Sequence, residues 1–261
     1  MLASWIGPHI TGQYDLTFVP VALPTALVRA LLPAEWGQRD DAFLTAEELA
    51  GYGVDLPVLE GKQWVCIEAG KQLNSGVSVP LGRRSFLEAK LEVPFLRHPE
   101  KRNNLPFTFK QTMLFSSRLI QFSAAHLTGL RSHHVVCIMT EDSFEAMDFM
   151  KVTVNGEAAV PEGQRWTDDL ARKVMTGWWV GENTGHAATK FVMSTVAPPH
   201  PRPQLTVRLN LPALTQLSAD KVKELCFGTP NLEENGWIEL DAAGFAMSEQ
   251  TKMEVVSLAS L

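Results

Sequence analysis

Apolar and polar positions alternate imperfectly along four stretches in the first half of the chain. These are "YDLTFVPVA" (14 to 22), "QWVCIEAG" (63 to 70), "SFLEAKLEVPFL" (85 to 96) and "PFTFKQTMLF" (106 to 115). Their period near two and their β-branched and aromatic content predict strands. "MKVTVNGEAAV" (150 to 160) predicts a hairpin, because Asn155-Gly156 tolerates the positive φ of a tight turn. "KFVMSTV" (190 to 196) and "QLTVRLNL" (204 to 211) read as two strands joined by proline-rich "APPHPRP". "GWIELDAAGFAMSEQTKMEVVSL" near the C-terminus reads as two more.

Helical periodicity is confined to short segments. "PTALVRALLP" (24 to 33) places Leu27, Ala30 and Leu31 on one face between two prolines. "TDDLARKVMTGWW" (167 to 179) and "SADKVKELC" (218 to 226) each open with a hydroxyl cap followed by acidic residues, which suits the positive end of a helix dipole. Many strands and few short helices predict an α+β fold, a large antiparallel β-sheet or barrel, and one domain over residues 1 to 261.

Composition narrows the classes. Apolar residues make up 45% and charged residues 20%, the balance of a globular chain. No apolar run reaches the roughly 18 residues of a membrane span, and the N-terminus has no signal-peptide pattern, so the expectation is a cytoplasmic protein with no membrane partner. A net charge of −6 leaves no electrostatic footprint for nucleic acid. Cys66, Cys137 and Cys226 are far apart among apolar neighbours and read as free buried thiols.

Standard catalytic signatures are missing: there is no P-loop, dinucleotide fingerprint, nucleophile elbow or zincin motif. Adjacent His133 and His134 would face opposite sides of a strand, and the other histidines are scattered, so no metal and no cofactor are expected. Trp178 and Trp179 offer either a flat binding platform or core filling.

Three stretches in order resemble the acetoacetate decarboxylase family: "GPHITGQYDLTFVPVALPTALVRALLPAEW" (7 to 36), "SFLEAKLEVPF" (85 to 95) and "LPFTFKQTMLFSSRLIQFSAAHLTG" (105 to 129). The resemblance implies a cone-like antiparallel β-barrel enclosing an apolar cavity, usually in a homo-oligomer. It also implies chemistry in which a lysine, activated by a neighbouring cation, forms a Schiff base with a β-keto acid. Glu88 stands where the family keeps an active-site glutamate, and Tyr14 where it has an arginine near the cavity mouth. Arg118 matches a second family arginine, and Phe122 an aromatic position. The family's lysines, however, are matched by Ala124, Ala125 or His126, and no lysine occurs from 111 to 150.

Two readings of Glu88 remain open. Glu88, Lys90 and Glu92 share one strand face, which either meets solvent or faces a pocket. Lys71, Lys90, Lys110 or Lys190 could supply an amine from another strand. Alternation places Lys110 opposite Phe107 and Phe109, and hence outward. The resemblance without the lysine implies a lyase, isomerase or cyclase acting non-covalently on an apolar, oxygenated, keto-type small molecule, with a role in secondary metabolism as the expectation. His126 is then the candidate general acid or base, or else a satisfied core residue; Glu88 and Tyr14 would assist it. Arg118, Phe122, Lys110 and Trp178 are the candidate substrate contacts. A β-keto acid decarboxylase using a lysine from another position and a non-catalytic binding protein are the alternatives.

Overall fold

The computed structural model describes residues 10–57, 59–76, 83–100, 105–156, 166–182 and 187–261. The first strand, β1 (Thr11–Pro24), leads into helices α1 (Thr25–Ala30), α2 (Ala34–Gly37) and α3 (Ala46–Ala50). Long strands β2 (Lys62–Gly76), β3 (Arg84–Arg97) and β4 (Pro106–Phe115) follow, then helix α4 (Arg118–Thr128). Short strands β5 (Ser132–His134), β6 (Cys137–Met139), β7 (Ser143–Ala146) and β8 (Met150–Gly156) come next. Helix α5 (Asp168–Met175), strand β9 (Trp178–Val180) and strand β10 (Ala187–Asn210) precede α6 (Leu211–Thr215), α7 (Ala219–Leu225) and β11 (Trp237–Ser257).

The strands form one 11-stranded sheet in the order β11-β1-β2-β3-β4-β9-β10-β8-β7-β6, with β5 beside β4. An additional pairing of β10 with β11 closes the first seven into a ring, and β8, β7 and β6 continue outward from β10 as a wing. Most pairings are antiparallel; β9 and β5 run parallel to β4. The ring abolishes open edges along its circumference.

Helix starts follow the caps read in the sequence. Thr167 accepts from the Leu170 amide and Ser218 from the Lys221 amide. The C-terminal strands differ from expectation. Residues 187–210 form one strand running through the proline segment, and 237–257 form another, rather than two strands each. Register shifts between Thr195 and Ala197, Ala197 and His200, and Arg202 and Leu205 absorb the prolines. Bulges allow this because they leave a strand residue unpaired where a proline has no N–H to give. The second arm of the hairpin expected at 150 to 160 lies outside the described residues, β8 ending at Gly156.

Both faces of the ring are buried along β2, β3 and β4. On the outside, Ile67, Ala89, Leu91, Val93, Phe107 and Leu114 join a core with Leu27 and Val28 of α1 and Leu214 and Val222 of the C-terminal helices. Inside, one end is filled by Leu16, Phe18, Trp64 and Phe95, against which Trp166 and the apolar face of α5 pack. Two glycines let β1 coil tightly between its neighbours. A Cβ on Gly70 would stand 2.1 Å from the Asp15 carbonyl oxygen, and one on Gly244 2.1 Å from that of Phe18. Both contacts are with backbone, which cannot rotate aside, so Gly70→Ala is expected to destabilise by about 1–3 kcal/mol in urea unfolding. An unchanged midpoint would show that the strands separate freely there.

Candidate functional site

Inside the ring, between the plugged end and an apolar chamber, lies a belt of buried charge. It is built by alternation: β2 directs Glu68 and Gln72 inward, and β3 directs Glu88, Lys90 and Glu92 inward. On β4 the register slips beside Gln111, where Leu91 faces Thr112 and Glu92 faces Lys110. That extra residue lets both Lys110 and Met113 line the chamber although they are an odd number of positions apart.

Lys90 Nζ lies 2.6 Å from Glu68 Oε2 and 3.2 Å from Glu88 Oε1. Gln72 Nε2 donates to the same Glu88 oxygen at 3.0 Å. Lys110 is paired with Glu92. Aromatic faces complete the cation sites: Lys90 Nζ lies 4.4 Å from the centre of the Tyr14 ring, and Lys110 Nζ 5.0 Å from that of Trp179. All five charged groups are nearly inaccessible to solvent.

Three carboxylates thus face two ammonium groups. Burial alone would lower the Lys90 pKa, but Glu68, Glu88 and Glu92 outweigh it and hold the amine well above the ordinary lysine range. Burial favours protonation of Glu68, yet Lys90 and Lys110 overcome this and keep its pKa low. Glu92 goes the other way: burial and the neighbouring Glu68 charge raise it despite both lysines. Burial, then the charges of Glu88, Glu68 and Glu92 and a polar contact with Glu88, push the Tyr14 phenol far up.

Gln72, Glu88, Lys90 and Lys110 form the polar floor of a cavity of about 380 Å³. Its walls are Phe86, Met113, Phe115, Leu130, Trp179, Phe191 and Met253, and α4 covers one side with Leu119, Ile120, Ser123 and Ala124. Small-molecule sites have this character: a mostly apolar concavity with a few convergent polar groups. Glu68 and Glu92 sit behind the lysines and do not line it. A further ion pair, half-buried Arg172 with buried Glu249 at 2.7 Å, ties the capping helix α5 to β11 outside the cavity.

The structure brings some of the expected site residues together and separates others. Glu88 reaches the cavity floor. Lys110 does too, which corrects its expected outward placement. Alternation does oppose it to Phe107 and Phe109, but those rings pack on the outer core and the lysine faces inward. The face shared by Glu88, Lys90 and Glu92 is likewise interior, not solvated. Tyr14 is fully buried behind Lys90 and does not line the cavity.

His126 is exposed on α4, its Nδ1 2.9 Å from the Phe122 carbonyl and its ring stacked on Phe122 at 3.9 Å. Neither ring lines the cavity, because a helix turns about 100° per residue and Ser123 and Ala124 take the inward face. Arg118 is exposed in the first turn of α4. Trp178 packs on the outer core with Lys190 over its ring at 4.8 Å, and its neighbour Trp179 takes the wall position.

Glu68 and Gln72 were not singled out from sequence, and Glu92 and Trp179 were named only beside Glu88 and Trp178. The available signal was the lone Glu68 in the otherwise apolar run "WVCIEAG". Among the described residues no group of three His, Cys, Asp or Glu side chains is arranged to hold a metal ion. No described helix is long and apolar enough to cross a membrane.

The closed, largely antiparallel ring plugged at one end has the acetoacetate decarboxylase-like fold, and solved structures match it. Acetoacetate decarboxylase from Legionella pneumophila superposes with a TM-score of 0.54 over 97% of this chain and 88% of its own, at 13% identity. The enduracididine biosynthesis enzyme MppR, solved with pyruvate, gives 0.51 over 97% and 91% at 8% identity. Another acetoacetate decarboxylase structure gives 0.51 over 96% and 91%, also at 8%. No protein-family model and no curated protein matches the sequence.

Proposed function

We propose that this protein is an enzyme that acts non-covalently on an apolar keto-type small molecule, as a lyase, isomerase or cyclase. The observation that carries the proposal is the clamping of both cavity amines by carboxylates beneath an apolar chamber. A Schiff-base lysine must lose its proton to attack a carbonyl, and an adjacent cation achieves this by depressing its pKa. Here the neighbours of Lys90 are anions and act in the opposite sense. A permanently protonated ammonium is instead suited to polarising a carbonyl or holding an enolate oxygen.

Glu88 supplies the complementary group. It lines the cavity, is oriented by Lys90 and Gln72, and can accept a proton from carbon or oxygen of a bound ketone. The apolar walls would hold the substrate folded and exclude water, lowering the entropic barrier to ring closure or elimination. The reading takes residues 1 to 261 as one domain, assembled as a homo-oligomer, and places the reaction in secondary metabolism.

The test combines trapping with turnover. Incubation with acetoacetate or pyruvate and borohydride, followed by mass spectrometry, is expected to give no lysine adduct. Incubation with a panel of apolar ketones in D2O, followed by NMR, is expected to reveal α-deuteration, ring closure or bond cleavage. A borohydride-trapped adduct on Lys90 or Lys110 would replace this proposal with a decarboxylase whose amine comes from a different strand. Tight binding of the panel without any change in it would make the protein a carrier.

A further inference from the structure

The cavity is graded along its length, and β3 carries the gradient. Alternation puts Arg84, Phe86, Glu88 and Lys90 on one face of that strand, and all four line the chamber. Glu88 and Lys90 are buried at the floor, Phe86 is buried above them, and Arg84 is exposed. Of the residues lining the chamber, only Arg84 and Leu119 are exposed, so these two mark its mouth. Leu119 of α4 gives that rim an apolar surface beside the arginine.

The two ends differ in what their polar groups already hold. On the floor, each ammonium is paired with a carboxylate. At the mouth, the Arg84 guanidinium makes no ion pair or hydrogen bond among the described residues. Neither does the hydroxyl of Ser75, its cross-strand partner on β2, which also lines the chamber. The neighbouring Arg83 is engaged with the Thr11 hydroxyl at 3.0 Å and adds a second positive charge to the rim. Glu88 is the one acid on the lining among the described residues, and it lies down the strand at the floor. A free guanidinium beside a free hydroxyl is a pairing that a carboxylate fills, because both groups can donate to its oxygens.

Building on the proposed non-covalent function, we infer that the substrate is a long-chain keto acid, anchored at the mouth by its carboxylate on Arg84 and Ser75. Its ketone then lies on the floor against the ammonium groups, and an apolar chain runs between them past Phe86, Met113 and Phe115. At a strand rise of about 3.3 Å per residue, the Cα atoms of Arg84 and Lys90 stand about 20 Å apart. Allowing for the reach of two long side chains, a ligand touching both spans about 10–15 Å. The carboxylate stays where water still reaches it, so only the apolar chain and the neutral ketone are dehydrated.

Calorimetric titration of the purified protein at low ionic strength tests this with 9-oxodecanoate, 2-decanone and 4-oxopentanoate. The long keto acid is expected to bind about fivefold or more tightly than 2-decanone, which lacks the anion, and than 4-oxopentanoate, which is too short to span the chamber. Its advantage over 2-decanone is expected to shrink in high salt, as an anchor at a solvated mouth requires. Arg84→Gln changes an exposed side chain, so the fold is kept. It is expected to bring 9-oxodecanoate down to the affinity of 2-decanone and to leave 2-decanone unchanged, with Arg84→Lys in between. Equal affinity of wild type and Arg84→Gln for 9-oxodecanoate would overturn the inference. So would 2-decanone or 4-oxopentanoate binding as tightly as the long keto acid, or no binding of 9-oxodecanoate at millimolar concentration. Binding is read without turnover, so Arg84-dependent binding of an unreacted ligand would count against the catalytic proposal and leave the anchor standing. Turnover of 2-decanone and 9-oxodecanoate with equal affinity would overturn the anchor alone.

Discussion

Lys90→Met is expected to cost about 3–5 kcal/mol of stability, the usual penalty for leaving buried charge without its partner. Lys90 is about 1% exposed and holds Glu68 at 2.6 Å and Glu88 at 3.2 Å. Removing it leaves three buried carboxylates facing Lys110 alone. Methionine fills nearly the same volume, so the loss measures charge rather than a cavity. Glu68→Gln is the informative companion. It removes one negative charge from a belt with one too many and leaves Lys90 paired with Glu88, so it is expected to be much the milder of the two. Urea unfolding of both variants checks the order. Equal losses would mean that packing, not charge balance, governs the belt.

Glu88→Gln is expected to lower turnover of any substrate found in the ketone panel by about 10²–10⁴-fold, the usual range for removing a general acid or base. The amide keeps the shape and a hydrogen bond to the cavity floor but cannot take a proton. The effect should fall on kcat more than on KM, because the lost interaction belongs to the transition state. His126→Ala, exposed on α4, is expected to leave the rate unchanged. A Glu88→Gln variant with full activity, or a His126→Ala variant without it, would relocate the chemistry to the outer surface of α4.

The strands of the first half were legible because the polar–apolar pattern of each is local. β4 runs over the residues its sequence pattern predicts, and the caps Thr167 and Ser218 start helices where their hydroxyls could reach a free amide. What alternation could not supply was the identity of the inner face. Glu88, Lys90 and Glu92 on one side, with Ala89, Leu91 and Val93 on the other, describe an amphipathic strand equally well in either orientation. The apolar side normally faces the core, and it does so here. That core lies outside the ring, under the helices, so the charged side is left to the interior. Lys110 was misplaced for the same reason. His126 and Phe122 were assigned by matching linear positions in a helix, where a shift of one or two residues rotates a side chain from wall to solvent. The continuity of β10 was hidden by its prolines, whose effect on a strand depends on whether a neighbour tolerates a bulge.

Closure of the ring has a consequence for how the belt forms. The seam is made by β11, which pairs with β1 through Tyr14 and Glu249 across 235 residues of chain, and with β10 on its other side. Contacts so distant in sequence are slow to form, because loop entropy must be lost before they are rewarded. Until β11 (Trp237–Ser257) is in place, β1 to β4 make an open curved sheet whose charged side can be wetted. Glu68, Glu88, Glu92, Lys90 and Lys110 can therefore meet and pair while still hydrated, and their dehydration is postponed to the moment the last strand seals the ring. The most expensive burial in the molecule then coincides with its most non-local step.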